Sequence, residues 1–418
     1  MPKTLAQAFD PRANSIGFLR WLMAFMVIFS HAGPLGGFYG GEDLGVQWST
    51  EQSLGGVAVG GFFFFSGYLI TQSRMGRSST LRYFWRRALR IIPAWWLSLV
   101  TIAFLFGPIA WIQETGSISG YFSSPVESPL TYFYNNMWLS LGQFNIAGMG
   151  SGLPLATDHG GYNWNGSAWT LIYEFRAYIL IGVLGLFGIL AHKWFSGIIA
   201  IAIIILACLQ WMYAGDLSRA LPLLQNPLNL QTLAPFAFGM LFALFPNKIP
   251  IDDRLAVGSL LFAVLTYANG GWLVLGQYAF AYFLMWLAIR ATKLQNWEKF
   301  GDFSYGIYLF GWPVMQLAGY FGLQHAGWLA YHVVVILVCH VLAFFSWHLI
   351  EKPAMSLKNW TPAPLAWLLA KWEPLSSRFK TRFVNPDYSS TFFAAALRKN
   401  AAEQRDETTS EERVREPA

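Results

Sequence analysis

Five ionisable side chains sit in stretches of this chain that are otherwise nearly uncharged. Arg20 and His31 share one apolar run, Arg87 and Arg90 head another, and Glu174 follows Trp169-Thr170-Leu171-Ile172-Tyr173. Their types suggest chemistry. Histidine exchanges a proton near neutral pH and can serve as a general base toward a hydroxyl. Arg87 and Arg90 are three residues apart, hence on one helix face, where two guanidinium groups can clamp phosphate bidentately. Arg20 and His31 are eleven residues apart, about 16 Å along a helix axis at 1.5 Å per residue. Glu174 shares a helix face with Tyr178, four residues on, whereas Arg176 points elsewhere. If His31 and Glu174 both face inward, the carboxylate would orient the imidazole and raise its basicity, making His31 a general base for a hydroxyl.

Positioning such groups requires elements that cross a membrane. Of 418 residues, 55% are hydrophobic and only 12% charged, against about 25% charged in ordinary soluble domains. Apolar runs bounded by charges or Gly/Pro clusters predict an all-α polytopic bundle of about ten transmembrane helices. The expected spans are 16–35, 54–73, 89–111, 168–190, 196–214, 231–246, 255–270, 272–290, 303–322 and 328–350. Ionisable residues inside such spans are functional candidates by default.

The Lys/Arg distribution orients the bundle. Arg74, Arg77, Arg82, Arg86, Arg87 and Arg90 crowd the connection between the second and third spans, while 112–167 contains no Lys or Arg. Threading ten helices leaves only Arg219 among the basic loop residues on the outer side, so both termini are expected to be cytoplasmic. The first apolar segment is too long for a signal peptide and is expected to be retained. The membrane domain should cover 1–354 and a cytoplasmic tail 355–418, disordered from about 385 because its charge is mixed and large apolar residues are few. The expected location is the bacterial inner membrane, as a multi-pass protein in contact with lipid.

Cys208 and Cys339, both in apolar segments, form no disulfide framework or zinc motif, and His332, His340 and His348 lack an acidic companion in register, so no metal is expected. Residues Gly60-Gly61-Phe62-Phe63-Phe64-Phe65-Ser66-Gly67 suit close helix packing or a narrow tunnel wall.

Together these segments resemble the membrane acyltransferase-3 family, whose members O-acylate glycans. Arg20-x10-His31 is similar to its first-helix motif, Phe62 to Ile70 to its F-F-x-x-S-G segment, and Arg87-Ala-Leu-Arg90 to its R-x-x-R element. Trp169-Thr-Leu-x-x-Glu174 resembles W-S-L-x-x-E, with Thr170 for the usual Ser. Ser304-Tyr-Gly-Ile-Tyr308-Leu with Trp312-Pro313, and Glu351-Lys-Pro353, complete the order. Gly311 stands where many members have His, so no role of that histidine carries over. The resemblance implies an O-acyltransferase, most simply an O-acetyltransferase. Its donor would be acetyl-CoA or another acyl-CoA from the cytoplasm, with phosphates on Arg87, Arg90 and Arg20. Its acceptor would be an extracytoplasmic or lipid-linked glycan, with Ser66, Trp169 and Tyr178 among the substrate-binding residues and His31, supported by Glu174, as general base or acyl relay. No nucleic acid partner is expected. Buried Arg, His and Glu among ten helices also fit a proton-coupled exporter or flippase of a glycan intermediate, which would not bind acyl-CoA.

Overall fold

The computed structural model describes residues 2–76, 79–213, 226–295, 297–360 and Trp367. Arg77, Arg219 and nearly all of the expected tail lie outside them.

Among the described residues, ten long helices carry the fold. They are α1 (Ile16–Gly36), α2 (Leu54–Met75), α3 (Thr80–Thr101), α4 (Thr170–Leu186), α5 (Lys193–Met212), α6 (Pro227–Leu244), α7 (Asp253–Asn269), α8 (Gln277–Arg290), α9 (Ser304–Tyr320) and α10 (Trp328–Phe345). Eight of the ten, taken with their helical extensions, are long and apolar enough to cross a membrane, and α7 and α9 fall just short at 17 residues each. The chain is a multi-pass helical membrane protein. Helix α3 starts nine residues before its expected position because Arg82, Arg86 and Arg87 extend it beyond its apolar part. It continues through a π-helical turn (Ile102–Phe106) to Thr115. Short helical turns run on past 354 to Asn359, and Trp85 and Arg86 of α3 donate to the Leu357 carbonyl and the Asn359 side chain.

Local chemistry sets the helix ends. Ser53, Ser79 and Asp252 accept backbone N–H bonds in the first turns of α2, α3 and α7, satisfying donors that a helix start leaves unpaired. Helix α1 ends at Gly37, whose φ of +71° suits glycine, and its N–H closes onto Gly33 at 2.8 Å.

Without a hydrophobic force between helices in lipid, close approach of backbones holds such bundles together. Helices α2 and α6 pack at two glycines: a Cβ on Gly67 would lie 2.0 Å from the Phe236 carbonyl oxygen, and one on Gly239 2.1 Å from that of Phe64. The Gly60–Gly67 run thus serves packing through Gly67, while its phenylalanines turn partly toward a cavity.

The bundle has two chemically different ends. At one, the Lys3 and Leu5 backbones pair with Ile251 and Ile249, Arg290 pairs with Asp253, and Arg20 and Arg90 meet Asp302. At the other, the 37–53 loop contacts the α7–α8 connection through Tyr267 and Glu51, and His159 reaches the Gly41 carbonyl. Basic residues gather at the first end, as the charge distribution requires.

Candidate active site

Two proline residues organise the end of the bundle that holds His31. A proline inside a helix has no N–H for the carbonyl four residues earlier. Pro34 therefore leaves the Ser30 carbonyl without its helical donor, and Leu44 N–H takes it at 3.1 Å. The Ser30 hydroxyl donates to Asp43 at 3.2 Å. This stitch folds the loop back over α1 and places Asp43 against His31, whose Nδ1 lies 2.7 Å from Asp43 Oδ1. Pro313 does the same on α9: the Leu309 carbonyl it leaves free accepts from Asn165 Nδ2 at 3.1 Å. Trp312 and Gln316 donate to the Asn163 carbonyl at 3.0 and 2.8 Å, so the segment before α4 is docked on α9. The Trp312 ring in turn sits edge-on to His31 with centroids 4.9 Å apart.

In this setting His31 is arranged as a base. Donation from Nδ1–H to a carboxylate fixes the tautomer with the lone pair on Nε2, and Nε2 has no hydrogen-bond partner among the described residues. Burial would raise the Asp43 carboxyl, but the hydrogen bond and charge of His31, helped by Ser30 and His159, outweigh it and hold the group below its ordinary value. The pair is only partly covered, with 17% of the His31 and 31% of the Asp43 side chain exposed.

Glu174 is not the carboxylate at His31. Its Oε1 accepts from Ser66 Oγ at 3.2 Å and from the Tyr178 hydroxyl, while Arg176 turns away to Asn229 and the Tyr173 ring. Helix geometry explains the separation. Gly55 of α2 lies beside His31, a Cβ there being 3.7 Å from the imidazole Cε1, whereas Glu174 meets α2 at Ser66. Eleven residues of α2, about 16 Å, lie between.

From Val59 to Ile70, α2 forms the wall of a cavity. Val59, Phe62, Ser66 and Leu69 form one face of α2 along it, opposed by Thr170, Glu174 and Tyr178 of α4 and by Ser304, Tyr305 and Tyr308 of α9. Arg20, Arg87 and Arg90 close one end, and His31 stands one helical turn beyond the other. The cavity therefore collects six of the eight residues singled out in the sequence. His31 lies just outside it. Trp169 is not in its wall; its ring packs edge-on against Tyr173 at 5.6 Å.

The arginines are not equivalent. Arg20 pairs with Asp302 at 2.9 Å, and Arg90 with Asp302 and, at 3.3 Å, with Glu351. Asp302 also accepts from Ser304 Oγ at 2.5 Å; burial works against its charge, but Arg20 and Arg90 hold its carboxyl far below the usual range. A π-helical turn (Ser346–Glu351) after α10 presents Glu351, which the Ser346 hydroxyl steadies at 2.8 Å. Arg87 has no carboxylate within ion-pair distance among the described residues; its guanidinium lies over the Tyr178 ring at 5.8 Å, and its Nε has no hydrogen-bond partner. Asp43, Asp302 and Glu351 were not assigned from the sequence as partners of these cations. The signal was there for two: buried Arg20 and Arg90 require counter-charges, and Asp302 and Glu351 flank helices at the same end of the bundle.

The described residues thus form a helical membrane bundle with a cation-ended internal cavity and a partly exposed His–Asp pair. Residues 14–350 match the family described as acyltransferase domain, and the chain belongs to that acyltransferase-3 family. It is similar to an O-acetyl transferase of Shigella phage Sf6, 28% identical over 350 residues that cover 82% of this chain and 96% of the relative. It is also similar to nodulation protein 10 of Rhizobium leguminosarum bv. viciae, 25% identical over 368 residues, 83% and 94% of the two chains. No solved structure matches it. The protein is an integral-membrane O-acyltransferase. Among the described residues no cluster suited to a metal ion occurs.

Proposed function

We propose that the protein transfers an acyl group, most simply acetyl, from a cytoplasmic acyl-CoA to a hydroxyl of an extracytoplasmic or lipid-linked glycan, from the bacterial inner membrane with both termini in the cytoplasm. The observation that carries this reading is the linear order of groups along the face of α2: arginines at one end, an apolar-walled cavity about 16 Å long, and a His–Asp pair one turn beyond it.

In this reading the phosphates of the donor meet Arg87, with Arg90 and Arg20 adding charge from their carboxylate-held positions. The arm of the donor runs along α2 and brings the thioester toward His31. His31 Nε2 takes the proton of the acceptor hydroxyl as its oxygen bonds to the thioester carbonyl carbon. The tetrahedral adduct then expels the thiolate, which recovers that proton from the imidazolium. Asp43 stabilises the transient positive charge, and no net proton is produced. General-base assistance of this kind contributes about 10²–10⁴-fold.

The test is genetic and chemical. The gene is deleted in its host and complemented with wild type or His31→Ala at matched membrane expression, and the O-acyl content of surface glycans is read by NMR. Restoration by wild type but not by the variant supports the reading. Unchanged acylation on deletion, or full rescue by His31→Ala, would overturn it and bring an exporter role forward.

A further inference from the structure

The mechanism above leaves one carboxylate without work. Glu174 stands in the wall of the cavity, about 16 Å from the level of His31, too far to orient its ring. Phe62, Phe63, Leu69 and Leu171 line the same cavity together with Thr170, Tyr305 and Tyr308, and a carboxylate inside a membrane bundle is a functional candidate by default. Both hydroxyls near it, Ser66 and Tyr178, donate to Oε1. Oε2 has no partner among the described residues. Glu174 lines the cavity, which leaves this oxygen open to an occupant. No cation offsets it locally: Arg176 points to Asn229, and Arg87 reaches only the ring of Tyr178, one turn further along α4.

An ionised carboxylate oxygen only accepts hydrogen bonds. The ligand group that satisfies Oε2 must therefore be a donor, and it must lie between the phosphate end and the thioester end of whatever occupies the cavity. Resting on the acyl-CoA reading above, we infer that Glu174 holds an amide N–H of the pantetheine arm of the donor. It is then a binding and positioning residue for the donor and not a base. Ser66 and Tyr178 occupy Oε1 and so turn Oε2 inward. The pantetheine arm carries two secondary amides in a chain otherwise of methylenes and one hydroxyl. An acceptor half-way along an apolar wall is what such an arm needs to avoid burying an unpaired N–H.

The experiment measures binding and turnover of acetyl-CoA and of two analogues, each with one arm amide replaced by an ester, which keeps shape and the carbonyl but removes the donor. In wild-type protein in lipid nanodiscs, one analogue should bind about tenfold more weakly or worse, as expected for loss of a charge-assisted hydrogen bond. In Glu174→Ala the same analogue and acetyl-CoA should bind alike. Glu174→Gln, nearly isosteric and safe for folding, should give a reduced ratio. In both variants KM for acetyl-CoA should rise while the pH profile of kcat keeps its shape. Equal binding of all three donors by wild type, or discrimination that survives in both variants, overturns this inference and leaves the acyl-CoA reading intact. A displaced pH profile in the variants overturns it in favour of a catalytic Glu174. Failure of wild type to bind acetyl-CoA at all overturns both.

Discussion

The carbonyl of Ser30 is bonded across the chain to the N–H of Leu44, at 3.1 Å, because Pro34 supplies no donor from within the helix. One residue type thus connects helix chemistry to the placement of Asp43 on His31. Pro34→Ala restores a competing N–H for Ser30 and should loosen that loop. Helix α1 itself should gain, since a proline in a helix interior costs about 3 kcal/mol relative to alanine. The expected outcome is a kcat lower by about tenfold, in keeping with supporting shells that orient a reactive histidine, in a protein no less resistant to heat. Steady-state rates and thermal melts on the same sample check it.

Asp43→Asn keeps a hydrogen-bond acceptor for His31 but removes the charge that favours the imidazolium. Rate and stability both respond. The maximal rate should fall, since the imidazolium formed as His31 takes the proton loses its counter-charge. For stability the sign is set by the lowered Asp43 carboxyl, for which burial is outweighed by its bond to His31. A folded value below the unfolded one stabilises fully above the unfolded value and is lost as pH falls through the folded value. Wild type should therefore lose melting temperature relative to Asp43→Asn on acidification through and below the ordinary carboxylate range.

Arg87 and Arg90 should separate when mutated. Arg90→Ala leaves Asp302 with Arg20 alone and Glu351 with no cation, and breaking a buried pair from one side costs about 3–5 kcal/mol. Its main effect should be a lower melting temperature and poorer membrane yield. Arg87→Ala strands no carboxylate and should keep the melting temperature while weakening acetyl-CoA binding by about tenfold, the order expected for loss of a charge-assisted phosphate contact. Calorimetric binding and melting of the two variants give the comparison.

The contact of α2 with α6 should tolerate no added methyl. A Cβ at Gly67 or Gly239 would stand within 2.0 or 2.1 Å of a backbone oxygen, and backbone cannot turn aside as a side chain can. Overpacking of this kind costs about 1–3 kcal/mol, so Gly67→Ala and Gly239→Ala should melt earlier than Gly60→Ala, where nothing lies within 4 Å.

Much of this protein was decided by local sequence. Apolar runs of helical length set the ten helices within a few residues, because in lipid a chain must satisfy its backbone bonds inside each crossing segment. Where an apolar run was flanked by arginines, as in α3, the helix outran it, since hydropathy registers the slab and not the helix. Arg20, Arg87, Arg90, Ser66, Glu174 and Tyr178, named from residue type, spacing and motif, line one cavity, because helix periodicity carries facing information over a few turns. Partnership was another matter. Glu174 was the expected companion of His31 because both were outward-lying polar groups, but axial depth along α2 sets them about 16 Å apart. Asp43 took the place through a loop folded back by a missing N–H at Pro34. Likewise Asp302 and Glu351 reach Arg20 and Arg90 from 212 to 282 residues away in sequence. Charges buried in a bundle find whichever opposite charge the packing brings to the same depth, and no local pattern carries that depth.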